Sequence, residues 1–102
     1  MDKILLFAGT TEGRLVWEYC DEHKIPVTAA VATEYGEAVL PPGELSDTLV
    51  GRMDREQMEE LLLTHRYKLV IDATHPYAKE ATENIKSASK NQQVPYDFYW
   101  QI

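Results

Sequence analysis

"ILLFAGTTEGR", residues 4–14, runs four apolar residues into a small-residue loop and then into an acid, a glycine and an arginine. An apolar run without polar alternation reads as a strand covered on both faces, the habit of parallel sheets. The loop then lies at that strand's C-terminal end. Gly9 removes a side chain where the chain must turn, Thr10 or Thr11 can cap the helix that follows, and the first N–H groups of that helix point into open space. Such geometry attracts an anion, although an ordinary strand-to-helix turn reads the same from these residues alone.

Working outward, the chain is one continuous alternation of strands and helices. The spacing predicts a strand over Ile4–Ala8 and a helix burying Leu15, Val16, Tyr19 and Cys20, which stops near Lys24 before Pro26. "VTAAVA" (27–32) is the second strand, and residues 33–40 form a short helix or turn. "DTLVG" gives a third strand ending at Gly51. Asp54 with Gln57 makes a capping box for a helix whose apolar face carries Met58, Leu61, Leu62 and His65. "KLVIDA" is the fourth strand. Beyond Pro76 a helix places Ala78, Ala81, Ile85 and Ala88 on one face and leads to a last strand near Val94–Trp100. There Tyr96, Phe98 and Trp100 share one side, with Asp97, Tyr99 and Gln101 on the other. This order predicts an α/β fold: a five-stranded parallel sheet in a Rossmann-like three-layer domain, with right-handed crossovers and helices on both faces.

At 102 residues the chain suits one domain. With 17 acidic against 10 basic residues and a formal charge of −7, it repels a nucleic-acid backbone or an anionic membrane surface, so any phosphate it binds is held locally. The lone cysteine, Cys20, cannot form an internal disulfide, and no basic segment followed by an apolar signal region opens the chain. A reducing, cytoplasmic setting is the expectation. No apolar run approaches the roughly 20 residues that span a bilayer.

Ligands of parallel sheets sit at the strands' C-terminal ends. Four segments arrive there: "AGTTEGR", "VATEYG", "VGRMD" and "DATHPY". Gly9 and Gly13 are spaced more loosely than a GxGxxG fingerprint. Arg14 reads either as a phosphate ligand or as a solvated surface arginine. Asp72 ends an apolar strand and His75 stands in a loop fixed by Pro76, which biases His75 towards an extended backbone. Such a histidine is suited to bonding a ligand or donating a proton, or to satisfying a loop carbonyl, while Asp72 caps the next helix. No third ligand accompanies them, so no metal site is expected. His23 and His65 lie near helix ends and need no function. The Tyr-x-x-x-Lys pair of short-chain dehydrogenases is absent, since Tyr77 is followed four residues on by Ala81 and Tyr67 by Ile71. Receiver domains need acids after the first strand, where this chain has Ala8-Gly9-Thr10.

Taken together, "LFAGTTEGR", "VATEYG", "GRMD" and "VIDATHPYA", in this order, resemble the N-terminal half of the precorrin-6A reductase family of cobalamin (vitamin B12) biosynthesis, its cobalt-precorrin counterpart included. The resemblance covers residues 3 to about 96. It implies a domain that binds NADPH and takes part in reducing a double bond of a corrin precursor. Gly9, Thr10, Thr11, Glu12, Gly13 and Arg14 would cradle the phosphates. Thr33, Gly51 and Arg52 would lie beside the adenosine, and Asp72, Ala73 and Thr74 would face the nicotinamide. His75 and Tyr77 would be the catalytic residues. Glu34, about 20 residues past the glycine loop, sits where a ribose-binding carboxylate signals NAD; the resemblance favours NADPH, with Arg52 or Thr33 meeting the 2′-phosphate.

Family members carry a second domain, and here "DFYWQI" departs from the basic strand with which they continue. The expectation is a cofactor-binding half, inactive alone, that pairs as a homodimer through its aromatic last strand. A non-catalytic nucleotide-binding module is the alternative.

Overall fold

The computed structural model describes residues 3–100. Five strands, β1 (Lys3–Phe7), β2 (Val27–Val31), β3 (Ser46–Val50), β4 (Tyr67–Asp72) and β5 (Tyr96–Phe98), alternate with four helices: α1 (Thr11–Glu22), α2 (Glu34–Ala38), α3 (Arg55–Thr64) and α4 (Lys79–Asn91). All pairings are parallel and the sheet order is β3-β2-β1-β4-β5. From β1 the chain builds outward to β3, then crosses back to lay β4 against the other side of β1. The crossing creates a switch point between β1 and β4, where the loops leaving the two strands part to opposite faces.

The unbroken apolar run of β1 is explained by what covers it. Leu5 and Phe7 enter one core with Ala30, Met58, Leu62, Val70, Ile85 and Ala88, beneath α3 and α4. Ile4 and Leu6 enter the opposite core with Trp17, Cys20, Val27, Ala29 and Ala73, beneath α1. Leu5, Leu6, Val27, Val70 and Ile85 are all but inaccessible to solvent, and each such side chain contributes about 1.5–3 kcal/mol over its exposed state. β1, central and buried from both sides, therefore holds the switch-point loops rigidly.

Local signals produce the predicted ends. The Thr10 hydroxyl accepts the Gly13 N–H at 3.0 Å, and Asp54 with Gln57 forms the complete capping box of α3. The buried face of α1 differs from the expectation, however. Gly13, Trp17 and Cys20 face the sheet, at spacings of four and three residues, while Leu15 and Tyr19 are exposed. Trp17 wins the position because its indole Nε1–H also finds a partner, the Pro41 carbonyl at 2.8 Å. His65 terminates α3 as its C-cap and is exposed rather than on the apolar face. Ala78 stands at the N-cap of α4, not within its buried stripe. β5 is only three residues long, so Trp100 lies past the strand; Gln101 is outside the described residues.

Candidate functional site

The two switch-point loops meet through one hydroxyl. Thr10 Oγ1, besides capping α1, donates to the Ala73 carbonyl at 2.5 Å, tying the start of α1 to the loop after β4. Thr10 thus serves as a clamp, and its hydroxyl is already engaged on both counts. The glycines of this loop divide their work. Gly9 has φ +113° and a Cβ built there would meet nothing within 4 Å, so it is an exposed turn that keeps backbone bare at the sheet edge. Gly13 is buried, and a Cβ on it would stand 2.9 Å from both Cα and Cβ of Ala8. Glycine at 13 therefore lets α1 close on β1; it is not an opening for a ligand. Thr11 is exposed and Glu12 half-buried on the first turn. Arg14, exposed, pairs with Glu18 at 3.3 Å one turn along α1.

Across the switch point, Asp72 is fully buried. Its Oδ1 accepts the Thr74 N–H at 3.0 Å and the Thr74 hydroxyl at 2.6 Å; its Oδ2 accepts the hydroxyls of Thr82 and Tyr96, each at 2.8 Å. The carboxylate does not cap α4 and its side chain is closed to a ligand: it pins the loop. Burial, then the hydrogen bond to Asp72, push the Tyr96 phenol above its ordinary range, so it stays a donor. Beyond this anchor His75 is exposed, with its Nδ1 accepting the Tyr77 N–H at 3.1 Å. In the neutral ring that leaves the proton on Nε2. The imidazole sits between the rings of Tyr77 and Trp100, with centroids 5.0 and 5.1 Å away.

A cleft of about 440 Å³ opens at this edge on the side of α3 and α4. Phe7, Ala30, Met53 and Met58 are among its apolar lining; Thr74 and Tyr77 come from the loop after β4, and Lys79, Glu80 and Asn84 from α4. Gly51, at φ +127° with nothing within 4 Å of a built Cβ, and Arg52 form its wall past β3. Arg52 and Lys79 are exposed and enter no ion pair among the described residues. In a chain of net charge −7 the lining of this cleft carries two cations, Arg52 and Lys79, against one carboxylate, Glu80.

Of the predicted residues, the fold brings Gly51, Arg52, Thr74 and Tyr77 onto this cleft. Ala73 is buried between the loops, and the Thr33 hydroxyl is used in capping α2, where it accepts the Gly36 N–H at 3.1 Å. Glu34 is exposed as the first residue of α2. Sequence reasoning missed Lys79 and Asn84, which no motif marks. It also missed Thr82 and Tyr96; only the apolar strand ending in Asp72 hinted that this carboxylate needed buried donors. Among the described residues, no three His, Cys, Asp or Glu side chains gather as a metal site would require. No helix among them is long and apolar enough to cross a membrane.

Comparison with known proteins places the chain in a family. The chain is 33% identical over 96 residues to the cobalt-precorrin-6A reductase of Priestia megaterium, covering 94% of this chain and 37% of that protein. It is 33% identical over 86 residues to the cobalt-precorrin-6A reductase of Salmonella typhimurium, covering 83% of this chain and 32% of that protein. A solved structure titled CobK precorrin-6A reductase superposes with a TM-score of 0.83 at 22% identity, over all of this chain and 41% of the other, and so shares its fold. The chain thus spans under half the length of these relatives. The model of the family described as Precorrin-6x reductase CbiJ/CobK matches residues 3–100, the whole of the sheet and the cleft at its edge, and the chain belongs to that family.

Proposed function

We propose that this chain is the dinucleotide-binding part of an NADPH-dependent reductase whose acceptor is a corrin-ring precursor, precorrin-6A or its cobalt form. The observation that carries the reading is the cleft at the switch-point edge, where Gly51 keeps backbone bare and Arg52 and Lys79 are exposed without an ion pair among the described residues. These residues fit a phosphorylated dinucleotide. Gly9, next in the chain to Ala8 of the lining, would offer bare main chain to the pyrophosphate, Arg52 would meet a 2′-phosphate, and the apolar lining of Phe7, Met53 and Met58 would take a flat ring. Bound there, a reduced nicotinamide supplies the hydride.

The chain's own residues orient and protect. His75 presents Nε2–H at the edge as a hydrogen-bond donor to the acceptor macrocycle, held by the Tyr77 N–H and flanked by the rings of Tyr77 and Trp100. Asp72, through Thr74, keeps that loop in place. Reduction also requires the macrocycle to be fixed at contact distance with water excluded, an effect of about 7–11 kcal/mol, and one sheet edge supplies one wall of such an enclosure. This chain alone is therefore proposed to bind NADPH without reducing a precorrin, and to work in a cytoplasmic setting. Phe98 and Tyr99, exposed at the β5 edge, are the surface proposed for pairing with a second copy, which light scattering tests: a monodisperse monomer removes that pairing.

The deciding experiment is a titration of the purified chain with NADPH and, in parallel, NADH, followed by nicotinamide fluorescence. Saturable binding, tighter for NADPH, is expected. A folded chain that binds neither ends the reading, and equal or tighter binding of NADH ends the assignment of Arg52 to a 2′-phosphate.

A further inference from the structure

Asp72 divides its two oxygens between the site and the scaffold. Oδ1 holds Thr74, which lines the cleft and precedes His75; Oδ2 is held in turn by Thr82 on α4 and Tyr96 on β5. The carboxylate is fully buried and makes no ion pair among the described residues, so these donors alone compensate its lost hydration. Replacing the carboxylate and its donors together by apolar groups of the same shape is typically near neutral in stability. A buried anion with matched hydroxyls instead fixes direction: with both Oδ2 donors in place the carboxylate plane is set, and Oδ1 can hold the loop in only one orientation. The Tyr99 N–H, donating to the Asp72 carbonyl at 2.8 Å, fixes the main chain at the same point.

We propose that Thr82 and Tyr96 are positioning residues of the site that set the loop from Thr74 to Tyr77 without touching a ligand, Tyr96 through Asp72, and Thr82 both through Asp72 and through its hydroxyl's own 3.3 Å contact with that of Thr74. The consequence for cofactor affinity rests on the reading of the cleft as a dinucleotide site; the consequence for the loop does not. β5 then contributes to the site from behind it, which gives the sheet's last strand a task besides closing the core.

The test uses Thr82→Val, which keeps the shape and removes the donor, Thr82→Ser, which restores the donor, and Tyr96→Phe. Two quantities are read in each folded variant: amide-proton exchange at Thr74 and Tyr77 by NMR without cofactor, and the Kd for NADPH by nicotinamide fluorescence. Thr82→Val and Tyr96→Phe are expected to speed exchange at both amides and to weaken NADPH binding about tenfold, the scale of one lost hydrogen bond to a charged group, with Thr82→Ser near the parent chain on both. Unchanged exchange at Thr74 and Tyr77 in Thr82→Val and Tyr96→Phe overturns the proposal. So does a Thr82→Ser chain as impaired as Thr82→Val, because the methyl and not the hydroxyl would then matter. Faster exchange with unchanged NADPH affinity overturns the link to the site. If the parent chain itself fails to bind NADPH, the dinucleotide reading falls, and the exchange rates still decide whether the two hydroxyls hold the loop. Should Thr82→Val fail to fold, the same two readouts on Tyr96→Phe decide.

Discussion

Replacing Gly13 by alanine sets two effects of opposite sign against each other. Gly13 is the third residue of α1, and alanine is favoured over glycine in a helix interior by about 0.8–1.0 kcal/mol, so propensity alone makes the variant more stable. Packing says the reverse. The new methyl would stand 2.9 Å from Cα and Cβ of Ala8, where carbon atoms are comfortable at about 3.5–4.0 Å. Ala8 Cα is main chain, so no rotamer change relieves the contact; α1 must move away from β1 by roughly half an ångström or more. Forcing an extra methyl into a close-packed contact typically costs about 1–3 kcal/mol, and the propensity gain is smaller in a first turn than in mid-helix. A net loss of about 1–2 kcal/mol follows, equivalent to a fall in Tm of roughly 5–15 °C for a domain of this size. Thermal and urea unfolding followed by circular dichroism measure it. A Gly13→Ala chain as stable as the parent, or more so, refutes the assignment of Gly13 to helix–strand contact. Gly9→Ala is the companion: its methyl meets nothing, but φ +113° costs about 1–3 kcal/mol, and the new side chain stands where the pyrophosphate is proposed to approach. NADPH affinity should therefore fall for Gly9→Ala beyond anything its stability explains.

Arg52→Gln is expected to weaken NADPH binding about tenfold or more while leaving NADH nearly unchanged, since only the former carries the extra phosphate; equal losses for both place the phosphate elsewhere. Burial, opposed by the charge of Lys68, pushes the Cys20 thiol up, and the residue is 2% exposed. A thiol reagent at about pH 8 should modify the native chain far more slowly than the chain in concentrated urea, and comparable rates would show α1 to be open at that face. Because the Tyr96 phenol is raised in the folded chain, the stability it contributes is fully present below the unfolded value of about 10 and is lost as the pH climbs from there towards the folded one. The gap in urea midpoint between the parent and Tyr96→Phe should accordingly hold up to about pH 9 and narrow above about pH 10, and a constant gap contradicts the buried, hydrogen-bonded placement of the phenol.

Much of this protein is legible in the chain because the signals are local. A capping box joins Asp54 to Gln57, three residues apart, and the Thr10 cap reaches only to Gly13, so both helix starts are set by neighbours. The apolar runs of β1 and β2 have no polar side to turn outward, which commits them to a sheet covered on both faces. The order of these elements, with the four loop segments, was enough to indicate the family that the comparison establishes. Which face of α1 is buried was not legible, because apolar residues stand on more than one side of it. The sheet selects Gly13, Trp17 and Cys20 by how closely Gly13 can approach Ala8 and by the carbonyl that Pro41 offers Trp17. The cleft was legible in part, through the segments around Gly51, Arg52 and Tyr77. Lys79 entered it only when α4 was laid across the sheet edge. The tertiary structure decided the second task of Thr10 and the whole work of Asp72, whose short polar side chains read only as helix caps in the sequence pattern. Their decisive partners stand 10, 24 and 63 residues away along the chain, at Thr82, Tyr96 and Ala73, and no local spacing encodes a hydrogen bond that exists only once three strands and two helices have come together.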